Sequence, residues 1–202
     1  MIRLQKEESG LWVAVIDRPE KANSLTAEML ERLCIIAEEA REARGLVLTG
    51  TGKVFSAGAD LDAAKAGLAV SPLWERLSGA LARLPGITIC ALNGTVAGGA
   101  MGMVLACDLR VSVPGAKVFY PVMKLGFLPQ PSDPTRLAAL VGAARAKRVL
   151  MCGEKITVEE AFGWGLIDRI AEGDVLDAAR QMAQDSLGAS AEHAAAIKRM
   201  IG

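Results

Sequence analysis

The stretch from Ile87 to Cys107 contains no charged residue, and it restricts the possible folds more than any other part of the chain. It opens as a short apolar run rich in β-branched side chains, is interrupted by Asn93-Gly94, and resumes with small and apolar residues at helical spacing. That order predicts strand, turn and helix. About 20 uncharged residues would also cross a bilayer. However, a strong turn signal in the middle and the cluster Gly98, Gly99 and Gly102 would make a poor spanning helix. A buried strand feeding a buried helix accounts for the same letters. Where the loop becomes the helix, Gly98 and Gly99 leave backbone N–H groups unshielded and without intrahelical partners. Such donors suit an oxyanion or a phosphate, and the same glycines equally suit a purely structural loop.

The rest of the composition narrows the class. With 202 residues, 51% of them hydrophobic, the chain is expected to form one domain, residues 1–202, around a well-buried core. Its 23 Lys and Arg balance 23 Asp and Glu, which argues against nucleic acid or an anionic membrane as a partner. Cys34, Cys90, Cys107 and Cys152 lie far apart in apolar surroundings, so all four are expected as buried, reduced thiols and none as a metal ligand. The opening residues lack the apolar core of a signal peptide, which together with reduced thiols predicts a cytoplasmic protein.

Read in order, Leu11 to Ile16 is an apolar strand ended by Asp17-Arg18-Pro19. Thr26 is placed to cap a helix whose apolar face runs from Met29 to Ala40. Leu46 to Thr49 then forms a second buried strand, and strand, helix, strand implies a parallel sheet. Gly50-Thr51-Gly52-Lys53 lacks the spacing of a phosphate loop and reads as a turn. Phe55 to Leu61 is a second small-residue loop at a strand end, where ligands of open α/β sheets bind. Residues 62–84 read as helical, with Pro72 in a first turn. Leu109 to Val113 and Lys117 to Pro121 read as strands. Asp133-Pro134 has the form of an N-cap followed by a first-turn proline; capping is the principal reading of Asp133 and a chemical role the second. Helices follow over Ala143–Met151, Val175–Leu187 and Ser190–Ile201, with a capping box at Thr157 to Glu160 and a short strand at Ile167–Ile170. His193, the single histidine, is expected as an exposed helical residue.

Four motifs in order resemble the crotonase, or enoyl-CoA hydratase/isomerase, family: Arg18 to Leu25, Phe55 to Leu61, Asn93 to Gly99, and Cys107-Asp108-Leu109-Arg110. Lys124 to Pro129 and Glu159 to Asp168 are also similar to it. The resemblance implies an α/β fold, a spiral of ββα units with mostly parallel sheets and peripheral helices. It also implies a coenzyme A thioester as substrate, with the thioester carbonyl held between the backbone amides matched here by Ala59 and Gly99. Lys21, Ala22, Ser24, Ala57, Asp60 and Leu61 would contact the coenzyme A portion; coenzyme A is then part of the substrate, and no separate cofactor is implied. Preorganised N–H donors lower the barrier to an enolate by about 3 kcal/mol each.

The chain departs from the family pattern where proton chemistry is done. Hydration needs a base for water and an acid for carbon, work that the family's hydratases give to two glutamates. Gly102 and Val122 stand at those positions. Asp133 therefore becomes the candidate acid or base, with Tyr120 and Lys124 behind it. The expected function is an acyl-CoA enzyme of the lyase or isomerase class acting through an enolate, with a catalytically degenerate acyl-CoA binder as the alternative. A serine peptidase on a related fold is excluded by Met101 beside the glycine loop and by the remote His193. The chain also ends before the family's usual last helices, so the homotrimer or hexamer that the resemblance implies is a weakened expectation.

Overall fold

The structure, a computed structural model, describes residues 1–201. It opens with β1 (Ile2–Lys6) and β2 (Leu11–Ile16), paired antiparallel with Leu4 opposite Ala14. Every residue of β2 is buried, whereas β1 alternates half-buried Ile2 and Leu4 with exposed neighbours. β1 is thus an edge strand, and β2 is covered on both faces. After α1 (Ala27–Glu39), capped by the Thr26 hydroxyl at 3.3 Å from the Met29 amide, the chain repeats one pattern. A long strand turns a tight corner into a short strand, and helices follow.

The first such unit is β3 (Gly45–Gly50), β4 (Val54–Ser56), α2 (Leu61–Lys65) and α3 (Leu73–Ala82). The second is β5 (Ile87–Leu92), β6 (Thr95–Ala97) and α4 (Met101–Ala106). The third is β7 (Leu109–Ser112), β8 (Lys117–Phe119), α5 (Val122–Leu125), α6 (Asp133–Val141) and α7 (Ala143–Leu150). The chain closes with β9 (Ile156–Thr157), α8 (Val158–Trp164), β10 (Arg169–Ile170), α9 (Val175–Gly188) and α10 (Ala191–Ile201). The long strands form a sheet in the order β1-β2-β3-β5-β7-β10, parallel after its first pair. The short strands form a second sheet, β4-β6-β8-β9, parallel except at β8 and β9. The spiral of ββα units is therefore present.

Side chains alternate across the long strands. Leu11, Val13 and Val15 join Val47, Ile89, Ala91 and Val111 in a core under Val175, Ala178, Ala179 and Ala183 of α9. Trp12, Ala14 and Ile16 belong to the larger core shared with α1, α3 and α4. The corners are held by two asparagines. Asn93 accepts from the Gly50 amide at 2.9 Å and donates to the Gly52 and Val54 carbonyls at 3.0 and 3.2 Å. Asn23, wholly buried, donates to the Thr51 and Val54 carbonyls at 2.8 and 2.7 Å. The corners lie so close that a Cβ at Gly94 would fall 2.0 Å from the Lys53 carbonyl oxygen. The motif Cys107 to Arg110 is structural: buried Arg110 donates to the Leu166, Cys107 and Asp108 carbonyls and pairs with Asp168 at 2.9 Å.

Four expectations need correction. Residues 62–84 are two helices, not one, because the chain turns at Gly67 (φ +104) and Pro72 stands at the N-cap of α3 rather than inside it. Cys152 is exposed, while Cys34, Cys90 and Cys107 are buried and reduced. At the capping box, Thr157 caps the Glu160 amide, but the Glu160 carboxylate turns to Arg148. Asp133 does not cap α6: it is the first helical residue, Ser132 holds the cap position, and no side chain bonds there.

Adding a methyl group at Gly94 is expected to cost at least about 2 kcal/mol, because the Lys53 backbone cannot yield. Gly163 lies inside α8 with nothing within 4 Å of its Cβ position, so Gly163→Ala should stabilise by about 0.5–1 kcal/mol. Urea denaturation of the two variants measures both.

Candidate active site

Two loops from the short sheet meet at one place. Ala57 to Asp60 leaves β4 for α2, and Gly98 to Ala100, a single 3-10 turn, leaves β6 for α4. Leu25 bridges to Ala59: its amide donates to the Gly58 carbonyl at 2.8 Å, and its own carbonyl accepts from the Asp60 amide at 2.9 Å. In a parallel bridge of this pattern the Ala59 N–H points away from Leu25. Gly99 lies in the opening turn, before any amide that closes an intrahelical bond. Gly58, at φ +90, lets the two loops touch, since a Cβ there would lie 2.9 Å from the Ala97 carbonyl and 3.3 Å from the Gly99 nitrogen. Ala59 and Gly99 both line one cavity of about 300 Å³.

The other walls are nearly all apolar. Leu61, Ala64 and Ala69 line one side, and Pro121, Val122, Leu125, Phe127 and Leu128 another. Trp74 stacks behind Gly99, whose Cβ position would lie 3.1 Å from the indole, and its own N–H donates to the Leu68 carbonyl at 2.7 Å. Gln130 donates to the Ala69 carbonyl at 3.3 Å. Of the polar side chains lining the cavity, Trp74 and Gln130 are thus committed within the protein, and Lys65 is an exposed residue at the rim. Tyr120 remains, its hydroxyl donating to Asp133 Oδ2 at 2.9 Å. A larger cavity of about 610 Å³ lies by α10; its Asp108 and Lys198 pair with each other at 2.6 Å, and neither glycine loop reaches it.

The residues singled out from sequence divide into three groups. Ala57, Ala59, Leu61 and Gly99 share the cavity. Ala22, Ser24 and Asp60 form the shelf that supports it. Ala22, in the left-handed region at φ 50, accepts from the Ala57 amide at 3.0 Å, and Arg18 holds Ser24 and Asp60 together, 2.8 Å from the Asp60 carboxylate. That guanidinium keeps the Asp60 carboxyl below its usual range, and Asp60 also caps α2. Lys21 is exposed nearby. Lys124 points to solvent and Gly102 lies inside the core, so neither is on the cavity wall; Val122 is. Asp133 is fully buried behind Tyr120. Sequence reasoning missed Trp74 and Gln130, whose letters sit unremarkably in a helix and a loop.

Comparison with known proteins places the chain in a family. The family model described as "Enoyl-CoA hydratase/isomerase" matches residues 6–201. The 1,2-epoxyphenylacetyl-CoA isomerase of Escherichia coli is 32% identical over 90% of this chain and 74% of its own length. The ethylmalonyl-CoA decarboxylase of Bos taurus is 29% identical over 99% of this chain and 70% of its own. A crystal structure of an enoyl-CoA hydratase from Bacillus anthracis superposes with a TM-score of 0.89 at 27% identity, covering 99% of this chain and 81% of the other.

Burial sets the charge state of Asp133. Desolvation raises its carboxyl to about 6, against the hydrogen bond from Tyr120 and the field of Arg136, while Glu75 pushes it the same way as burial. The folded chain therefore binds more protons here than the unfolded chain between pH 4 and 6, and stability falls as pH rises through that window. The shift corresponds to a loss of up to about 3 kcal/mol, complete by pH 7. Asp133→Asn should remove this slope, seen as the difference between wild-type and variant urea midpoints measured from pH 4 to 8.

Proposed function

Because the chain belongs to the enoyl-CoA hydratase/isomerase family, we propose that it is an enzyme acting on an acyl coenzyme A thioester through an oxyanion-stabilised enolate, in a reaction other than standard hydration. The observation that carries this reading is that Ala59, its amide turned away from the Leu25 bridge, and Gly99, in the opening turn before α4, line one largely apolar cavity. A thioester carbonyl seated there gains charge as the α-carbon loses a proton or another substituent. Fixed main-chain donors then lower that barrier, each by about 3 kcal/mol. Leu61 and Ala57 line the same cavity, and Lys21, Ala22, Ser24 and Asp60 make the shelf along which the coenzyme A portion would lie. Lys21, exposed, suits a phosphate; Asp60 is already paired with Arg18, so its main chain is the part left to contact the ligand.

Hydration is disfavoured by the walls. Water must be held and deprotonated next to the β-carbon, and Gly102 and Val122 hold and exchange no proton. The two sequence relatives named above carry the names of an isomerase and a decarboxylase. A bare acyl-CoA binding protein is the second reading, favoured by the withdrawal of Asp133 from the cavity surface. In deuterium oxide the purified protein should exchange the α-proton of at least one of hexanoyl-, trans-3-hexenoyl- and phenylacetyl-coenzyme A and leave crotonyl-coenzyme A unhydrated, as read by mass spectrometry. Binding without exchange or product would instead support the second reading.

A further inference from the structure

The carboxyl of Asp133 packs against position 102. A Cβ on Gly102 would lie 3.0 Å from Asp133 Oδ1 and 3.3 Å from Oδ2, so the glycine on α4 lets this carboxyl approach the helix closely. The carboxyl is wholly buried, its Oδ1 has no hydrogen-bond partner among the described residues, and its Oδ2 accepts from Tyr120. Tyr120 in turn both lines the cavity and donates a hydrogen bond to this carboxyl. The surrounding charges do not neutralise the pair. Glu75 of α3 is held by Ser132, the buried Arg136 Nη1 of α6 has no hydrogen-bond partner among the described residues, and α4 carries no charged residue. On α7, Arg148 pairs with Glu154 and Glu160, and Arg145 lies over Trp164.

Resting on the acyl-CoA reading above, we propose that Tyr120 is the catalytic residue that exchanges a proton with the acyl carbon, and that Asp133 is the positioning residue that takes up and returns that proton through the phenol. In the removing direction the α-C–H bond breaks, its electron pair enters the enolate, and the carbon's proton goes to Tyr120 Oη. The phenolic proton passes to Asp133 Oδ2, which becomes a neutral carboxylic acid. In the returning direction the acid gives its proton back to Tyr120, whose O–H proton forms the new C–H bond as the thioester carbonyl is restored. The phenolate never needs to accumulate, which suits a tyrosine whose ionisation is pushed well up by burial and by Asp133. One proton is borrowed and one returned, so the proton count closes on a single carrier. The substrate class that fits is a thioester with an uncharged hydrocarbon acyl group, in which hydrogen is exchanged or shifted along the chain. Leu61, Leu125, Phe127 and Leu128 line the same cavity and would surround such a group.

Tyr120 is the chain's single tyrosine, so biosynthetic incorporation of 3-fluorotyrosine labels this site alone. The fluorine resonance should titrate near pH 6 with Asp133 and move when hexanoyl-coenzyme A binds; a signal indifferent to both overturns the proposal. Tyr120→Phe should lose at least about 10²-fold in α-proton exchange while thioester affinity, by calorimetry, stays within about threefold. Asp133→Asn should lose exchange and the inflection of kcat/KM near pH 6, a change that a purely structural role would not produce. Lys147→Ala, exposed on α7 and away from the cavity, should leave exchange unchanged. Exchange within threefold of wild type in Tyr120→Phe, or an inflection that persists in Asp133→Asn, would refute the relay alone. A wild-type protein that neither binds nor exchanges any of the three thioesters would remove the acyl-CoA reading, and the relay with it. The fluorotyrosine titration uses the unsubstituted backbone and so tests the relay even if Tyr120→Phe fails to fold.

Discussion

The contact between the Ala57–Asp60 loop and the Ala97–Gly99 turn is the constraint from which the rest of the site follows. Two backbones can approach this closely only where no Cβ intervenes, and Gly58 supplies that condition at a positive φ that other residues rarely adopt. The contact sets Ala59 and Gly99 on the wall of one cavity. It is enforced from below by the Leu25 bridge and by Ala22, which takes a left-handed conformation to accept the Ala57 amide. Strain of this kind costs about 1–3 kcal/mol and persists only where neighbouring structure over-determines it.

That over-determination comes from the corners between the two sheets. β3, β5 and β7 each end where a short strand begins, and the Asn23 and Asn93 amides satisfy carbonyls and amides that a bend would otherwise strand. Gly94 then stacks on Lys53 with no room for a side chain. Successive turns of the spiral are thereby fixed in height relative to each other, and the loops that leave β4 and β6 inherit that spacing. The sheet itself contributes stiffness, since both its faces are covered.

The parts of this architecture that depend on local chemistry were legible in the residues. β2 and β3 read as buried strands because parallel sheets select continuous apolar runs, and Thr26 read as a cap because its hydroxyl needs only the amide three residues on. The Asn93-Gly94 break and the two small-residue loops were equally plain. The second sheet was not legible as a sheet: β4 and β6 are three residues each, too short for alternation to show, and their partners come from distant turns of the chain. The break at Gly67 escaped notice because the leucines beyond it keep helical spacing. Asp133-Pro134 has the letters of a cap, yet packing against Tyr120 outcompeted the local bond, and that partner lies 13 residues away in sequence. Trp74 and Gln130 carry no signal by residue type; only the fold brings them to the cavity.

The close packing of Asp133 against Gly102 bears on the proposed proton chemistry. The proposed carbonyl site is made of main chain and depends on Gly58 and the corners, none of which touches Gly102 or Asp133. A side chain at residue 102 would crowd this carboxyl, because its Cβ would meet the Asp133 oxygens at 3.0 and 3.3 Å. Its place on α6 sets the carboxyl deep, behind a phenol, in a site dry enough to raise its ionisation to about 6. The depth that keeps this carboxyl off the cavity wall is thus also what raises its ionisation, and in the proposed relay Tyr120, which lines that wall, carries the proton between carboxyl and substrate.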